Sequence, residues 1–210
     1  MAHYHKLGQI PHKRHTQFRK PDGTLYSEQL FSTEGFSDDY SLLYHCHPPT
    51  QIIKTEPQLD VSPQIAEEKM LKHRSFEGFS VKPEADFLKS RVPVLVNNDC
   101  HIVLASPQQS MTDYFYKNTD ADELIFVHEG SGNVLTQYGQ LPFSYGDYII
   151  LPRGTIYQIH FDTPANRLFI VESFSPLRFP KRYMSRFWTV DGAFSILRTG
   201  YSSTTRFAHH

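Results

Sequence analysis

Gly146-Asp147-Tyr148-Ile149-Ile150-Leu151-Pro152-Arg153-Gly154 is the stretch that decides the fold. Gly146-Asp147 turns the chain into a short apolar run, which reads as a buried strand, and Pro152-Arg153-Gly154 turns it out again. Runs of the same kind lie on both sides. Val92–Val96 and Cys100–Ala105 flank Asn97-Asn98-Asp99 as a hairpin. Met111–Tyr116, Leu124–His128, Asn133–Tyr138, Asp147–Leu151, Ile156–Phe161 and Arg167–Ser173 follow at short spacing, with turns at Gly130-Ser131-Gly132 and Tyr138-Gly139-Gln140. No long helical period separates them, so the strands are expected to pair antiparallel in a mainly β sandwich or jelly roll. Sixteen Phe and 12 Tyr favour strands, and 14 Pro with 11 Gly supply turns.

The sandwich is expected over residues 91–178. Residues 1–90 read as an irregular N-terminal segment packed on it, with short strands near Leu25–Leu30 and Tyr40–His47. One short helix is expected from Ser62-Pro63, with Ser as N-cap and Pro at the first helical position. Glu67 and Glu68 stand early in it, and Lys69, Lys72 and His73 late, which suits the helix dipole. A weaker helical signal lies at Glu84–Ser90. Residues 179–210 form the end of the chain.

The 210 residues suffice for one or two domains with a real core. Lys and Arg number 21 and Asp and Glu 22, so no global field points to nucleic acid or an anionic membrane. No apolar run is long enough for a spanning helix, and the first 15 residues hold no apolar core of a secretory signal. Cys46 and Cys100 make no disulfide framework, so a cytoplasmic location is expected. Lys6, Lys13, Arg14, Arg19 and Lys20 precede the first acid, Asp22. Apolar residues interrupt them, which favours a solvated or docked arm over a polyanion-binding one. There is no internal repeat, Gly-rich phosphate loop, Gly-x-Ser-x-Gly elbow or Cys-x-x-Cys.

Residues 116–161 resemble a cupin barrel. The turn-strand-turn at 146–154 is one half of the pattern, and Glu123 followed by Gly130 fits the other. A metal-binding cupin supplies His-x-His, a Glu and a later His. The corresponding positions here hold Tyr116, Asn118, Glu123 and Tyr157, a vestigial set with one of the four ligand types left. No catalytic, cofactor-binding or metal-ligating residue is therefore assigned. His45-Cys46-His47 could place two imidazoles on one strand face, but Pro48-Pro49 ends the strand at once, so a structural or surface pair is expected. His128 and His160 read as core or rim histidines. A free-standing metal-free cupin binding a small ligand through Tyr116, Glu123 and Tyr157 is the alternative from another class. A non-catalytic structural subunit is a further one.

Several blocks together resemble one family. They are Gly8-Gln9-Ile10-Pro11-His12-Lys13-Arg14-His15-Thr16, Leu25-Tyr26-Ser27-Glu28-Gln29-Leu30 and Thr33-Glu34-Gly35-Phe36-Ser37. The most specific is Tyr40-Ser41-Leu42-Leu43-Tyr44-His45-Cys46-His47-Pro48-Pro49-Thr50. The chain is similar over about residues 1–187 to the N-terminal half of homogentisate 1,2-dioxygenases. The resemblance implies ring opening of homogentisate by O₂ and Fe(II), giving maleylacetoacetate in tyrosine and phenylalanine catabolism. It implies a homo-oligomer, a trimer or hexamer, with no nucleic-acid or membrane partner. It also implies that the iron ligands, two His and one Glu, belong to a C-terminal half whose motifs do not occur here.

The resemblance stops after Phe187. Residues 188–210 begin Trp188-Thr189-Val190-Asp191-Gly192-Ala193-Phe194, where the family continues with a sequence like Gly-Gln-Leu-Met-Glu-His-Ser-Pro-Phe-Cys-Glu-Arg-Asp. Allowed codons for 188–201 spell that family sequence when the first base is skipped. One extra base near the Phe187 and Trp188 codons is the expectation. The chain is then truncated before the iron ligands and is expected to be inactive alone.

Overall fold

A computed structural model of the chain describes residues 17–32, 35, 40–66 and 72–178. The expected tail at 188–210 lies outside them. The described residues fall into two compact units that meet in sequence at Val61 and Ser62.

The first unit carries a hairpin of β1 (Ser27–Phe31) and β2 (Ser41–His45), paired antiparallel with Leu30 opposite Leu42. The turn Pro21-Asp22-Gly23 precedes it, closed by the Gly23 N–H on the Lys20 carbonyl at 2.9 Å. Tyr44 donates its hydroxyl to Glu28 across the pair at 2.8 Å, and the Phe18 ring lies 4.5 Å from the Tyr44 ring.

The second unit is a sandwich of two antiparallel sheets. Its strands are β3 (Arg91–Val96), β4 (Cys100–Ala105), β5 (Tyr116–Lys117), β6 (Asp122–Glu129), β7 (Gly132–Thr136), β8 (Gly139–Phe143), β9 (Tyr148–Leu151), β10 (Ile156–Phe161) and β11 (Arg167–Ser173). One sheet runs β5-β10-β7-β8 and the other β3-β4-β11-β6-β9. The core between them takes Val134, Phe143, Tyr157 and Ile159 from the first sheet. Val103, Ile125, Val127, Ile149, Leu151, Leu168 and Ile170 come from the second. Closely spaced antiparallel strands, with the chain crossing between the two sheets, give the expected cupin-type sandwich.

Gly146 and Gly154 bound β9 at φ +89° and +82°, where a side chain is strained. The Gly146 N–H reaches the Val127 carbonyl at 2.8 Å and the Gly154 N–H the Asn118 carbonyl at 2.7 Å, tying both turns to neighbouring strands. β9 is an edge strand and is buried on one face only. Ile149 and Leu151 enter the core while Tyr148 and Ile150 are exposed, so the expected buried strand is half-buried.

Other expectations are corrected. The helix from Ser62 is not found. Ser62–Ala66, Lys72 and His73 are not helical, and residues 67–71 lie outside the described ones. Ile65 is 76% exposed, so among the described residues of the segment no large apolar side chain packs, and a short helix without packing is marginal. At Glu84–Ser90 only a turn forms, closed by the Ser90 N–H on the Asp86 carbonyl at 3.0 Å. Met111–Tyr116 is not a strand, and only Tyr116–Lys117 pairs with β10. The Gln158 amide takes the Thr112 and Tyr114 carbonyls instead, satisfying that backbone without a ladder. β8 is absent from the expected strands, and its first two residues fall in the expected turn Tyr138-Gly139-Gln140. Pro142 obscured it, and an edge strand tolerates Pro.

The outward faces of the two sheets differ in kind. On the four-stranded sheet the register aligns His160, Asn133 and Pro142 on the outer face, and Gln158, Leu135 and Gln140 in the next row. Gln140 donates to Asn133 at 2.7 Å, and His160 Nε2 lies 2.8 Å from Gln158 Oε1. On the five-stranded sheet one row reads Val92, Leu104, Phe169, Phe126 and Tyr148. The next reads Leu95, Ile102, Val171, Leu124 and Ile150. Both rows cross all five strands without one charged side chain.

Candidate functional site

Strand alternation brings two acids into the core. Along β6, Glu123, Ile125 and Val127 point inward, and along β11, Leu168, Ile170 and Glu172 do. Glu123 and Glu172 are direct cross-strand partners. Like charges directly opposite repel, and burial intensifies the repulsion, so a cation is needed between them.

Arg91, the first residue of β3, supplies it. Its Nη1 lies 2.8 Å from Glu123 Oε1 and its Nη2 2.6 Å from Glu172 Oε1. The guanidinium lies over the Phe87 ring at 5.3 Å and the Tyr116 ring at 6.0 Å. Side-chain exposure is 1% at Glu123, 11% at Arg91 and 16% at Glu172, so the group is dry. Burial opposes the Arg91 charge, but Glu123 and Glu172 outweigh it and hold the guanidinium protonated above its ordinary range.

The other members close around this pair. Tyr157 donates its hydroxyl to Glu123 Oε2 at 2.6 Å, and Asn118 donates its amide to Glu172 Oε1 at 3.0 Å. The Tyr116 ring meets Tyr157 edge-on at 5.4 Å. His101, opposite Glu172 on β4, places Nδ1 at 3.5 Å from its Oε2. Burial, with Glu123 beside it, pushes the Tyr157 phenol well up. The same two causes push Tyr116 up to about 12. Both phenols are therefore protonated near neutral pH.

The structure thus gathers Tyr116, Asn118, Glu123 and Tyr157, the four positions singled out from sequence, into one cluster. They do not fit an iron. Both Glu123 oxygens are already engaged, by Arg91 and by Tyr157. The two phenols are protonated, and the Asn118 amide nitrogen donates. A second cation would also meet the Arg91 charge at close range. The donor set is one for a guanidinium, and no reaction step is derived through a metal here. The same engagement leaves Tyr116, Glu123 and Tyr157 poorly placed to receive a small ligand.

Arg91 and Glu172 escaped sequence reasoning. The signal was present. Arg91 opens an otherwise apolar run, and Glu172 continues the inward alternation of Leu168 and Ile170. What sequence spacing could not show is that β3 and β11 share a sheet with β6.

The remaining candidates stand apart. His45 Nε2 lies 2.8 Å from Gln29 Oε1, Cys46 is exposed, and its carbonyl accepts Lys20 Nζ at 2.8 Å. Among the described residues no group of three or more His, Cys, Asp or Glu is placed to hold a metal ion. His128 is exposed and meets the Phe79 ring edge-on at 5.1 Å. It lines a cavity of about 440 Å³ on the outer face of the five-stranded sheet, with Phe79, Phe126, Arg167 and Phe169. Arg167 holds the Phe79–Val81 segment there through its Nη1, at 3.3 and 3.4 Å from the two carbonyls. Among the described residues no helix is long and apolar enough to cross a membrane.

Comparison with known proteins places this geometry in a family. The model for the homogentisate 1,2-dioxygenase N-terminal region matches residues 8–183. A protein of Saccharolobus solfataricus described as a candidate dioxygenase is 33% identical over 195 residues, covering 92% of this chain and 50% of the relative. The homogentisate 1,2-dioxygenase of Dictyostelium discoideum is 24% identical over 165 residues, covering 71% of this chain and 38% of the relative. The chain therefore spans about half or less of the length of these relatives. Among solved structures, a cupin-2 domain protein of Shewanella frigidimarina aligns at 18% identity and TM-score 0.39, covering 45% of this chain and 87% of its own. With residues 8–183 matched, the chain belongs to the homogentisate 1,2-dioxygenase N-terminal family.

Proposed function

We propose that this chain is the non-catalytic barrel of an Fe(II)-dependent ring-cleaving dioxygenase. The enzyme would convert homogentisate and O₂ to maleylacetoacetate in tyrosine and phenylalanine catabolism. It would work in the cytoplasm as a homo-oligomer, a trimer or hexamer, with its iron held by a separate half of the longer protein. The chain as written would be inactive alone, its family-like sequence lost after Phe187 through one extra base.

One observation carries the reading. The Arg91 guanidinium is paired with Glu123 and Glu172 at 2.8 and 2.6 Å, so the one acid left at the vestigial positions already holds a cation. A barrel so filled contributes structure and surface rather than redox chemistry. Oxygen uptake by the purified chain with homogentisate and added Fe(II) tests it. No turnover above the protein-free control is expected, and turnover abolished by a chelator would refute it. Sequencing the coding DNA from the Tyr183 codon to beyond His210 tests the shifted frame. A skipped frame that runs on into a His/Glu/His half supports it, and one that does not spell the family sequence ends it.

A further inference from the structure

We infer that the cavity formed by residues 76–81 and the outer face of the five-stranded sheet is a binding site for a small, uncharged aromatic molecule carrying one hydrogen-bonding group. The inference goes beyond the proposed chemistry and does not depend on it.

Arg167 fixes one wall of the cavity. Its Nη1 reaches the Phe79 and Val81 carbonyls at 3.3 and 3.4 Å, and its guanidinium lies 5.2 Å from the centre of the Phe79 ring. The short turn Gly78–Ser80 meets the sheet at Leu104, whose Cδ1 would stand 3.4 Å from a Cβ placed at Gly78. Beside that contact a space of about 440 Å³ stays open, within the range of small-molecule sites. Phe76 and Phe79 from the turn region and Phe126 and Phe169 from the sheet line it. Phe76 and Phe79 remain 54% and 64% exposed, so the cavity leaves apolar surface to cover.

Ring geometry and charge select the ligand. The lining rings already meet edge-on or tilted, Phe79 with His128 at 5.1 Å and Phe126 with His128 at 6.3 Å. A flat guest ring continues that arrangement, which an aliphatic chain does not. The two charged side chains at the cavity, Arg167 and Glu77, have partners. Arg167 Nε pairs with Glu129 Oε2 at 3.3 Å, and Glu77 Oε2 accepts the Ser80 hydroxyl at 3.3 Å. A charged guest would lose water and face both signs at once, so an uncharged one is favoured. His128 differs from them. Among the described residues it makes ring contacts and no hydrogen bond. Its imidazole is left for one polar group on the guest.

Calorimetric titration of the full chain with 2-naphthol, which is uncharged at neutral pH, tests this. Saturable binding at one site is expected. 2-Naphthoate, the same rings with a carboxylate, should bind more weakly by about 10-fold or more, since its charge is desolvated without a free partner. His128→Phe keeps a ring in place and removes the hydrogen bond, and should weaken 2-naphthol by about 5-fold. Phe169→Ala removes a wall of the cavity and should weaken it by about 10-fold. Leu141→Lys, on β8 of the other sheet, should leave binding unchanged. Far-ultraviolet circular dichroism checks that the variants fold. Nuclear magnetic resonance of the unmodified chain needs no variant, and the His128 imidazole signals should shift in step with 2-naphthol binding. Absence of saturable binding up to the solubility of 2-naphthol would overturn the inference. So would 2-naphthoate binding as well as 2-naphthol, or an affinity indifferent to both His128→Phe and Phe169→Ala.

Discussion

The two faces of the five-stranded sheet invert the usual division of polarity. The inner face carries Arg91, Glu123 and Glu172 at one end of an otherwise apolar core. The outer face carries ten apolar side chains in two uncharged rows, with Arg167 and Glu129 at one margin. Water contact therefore did not set this pattern. The inner charges persist because they satisfy one another, and each loses its reason if a partner is removed. The outer apolar rows meet residues 76–81 at one end, where Phe79, Phe126 and Phe169 line the same cavity, and stay exposed at Leu95 and Ile150.

Breaking the inner cluster should have the largest effect. Arg91→Met leaves Glu123 and Glu172 facing each other across β6 and β11 with no cation between them. Loss of one member of a buried ion pair costs about 3–5 kcal/mol. Urea unfolding followed by circular dichroism should show a loss of that size. A loss under about 1 kcal/mol would mean that the cluster is solvated.

The purely apolar part of the same inner face comes next. Ile170→Ala, two residues from Glu172 on β11, removes a fully buried side chain and should cost about 2–5 kcal/mol. The same urea experiment checks it. Phe169→Ala beside it, pointing outward and 38% exposed, should cost clearly less in dilute protein. Equal losses would erase the distinction between the faces.

Tyr157→Phe removes a single hydroxyl from Glu123 while keeping the ring against Phe87 and Tyr116. A hydrogen bond to a charged group contributes about 1.5–3 kcal/mol, so a loss in that range is expected from thermal or urea unfolding.

The smallest effect is alkaline. Tyr116 and Tyr157 titrate above the ordinary value of 10.0 in the folded chain. Between that value and the folded one, the folded state binds more protons than the unfolded state. Stability from these phenols is thus complete below about pH 10 and is lost as pH rises toward about 12 at Tyr116. Ultraviolet difference spectra should show Tyr116 and Tyr157 within a late-titrating group that also holds Tyr114, and Tyr157→Phe should lower its amplitude by one tyrosine.

Much of this was legible in the sequence. Ile156–Phe161, Arg167–Ser173 and Cys100–Ala105 are legible with the bounds they have, because turn or polar residues bracket short runs rich in apolar residues. The four vestigial positions converge because the cupin pattern relates β5, β6 and β10. Arg91 did not declare itself, since its meaning depends on sheet order rather than on its neighbours in sequence. β8 was hidden by Gly139 and Pro142, which an edge strand accepts. The segment from Ser62 has caps and charges in order, but Ile65 stays exposed, and caps alone do not hold a short helix.

The account rests on the Arg91 guanidinium being held by Glu123 and Glu172 beside Tyr116 and Tyr157, a set that leaves no donors for an ion. The most direct measurement is the iron content of the purified chain after anaerobic loading with Fe(II) and desalting. The account predicts no stoichiometric iron and no change in melting temperature on loading. One tightly held iron per chain, lost on Glu123→Gln, would contradict it.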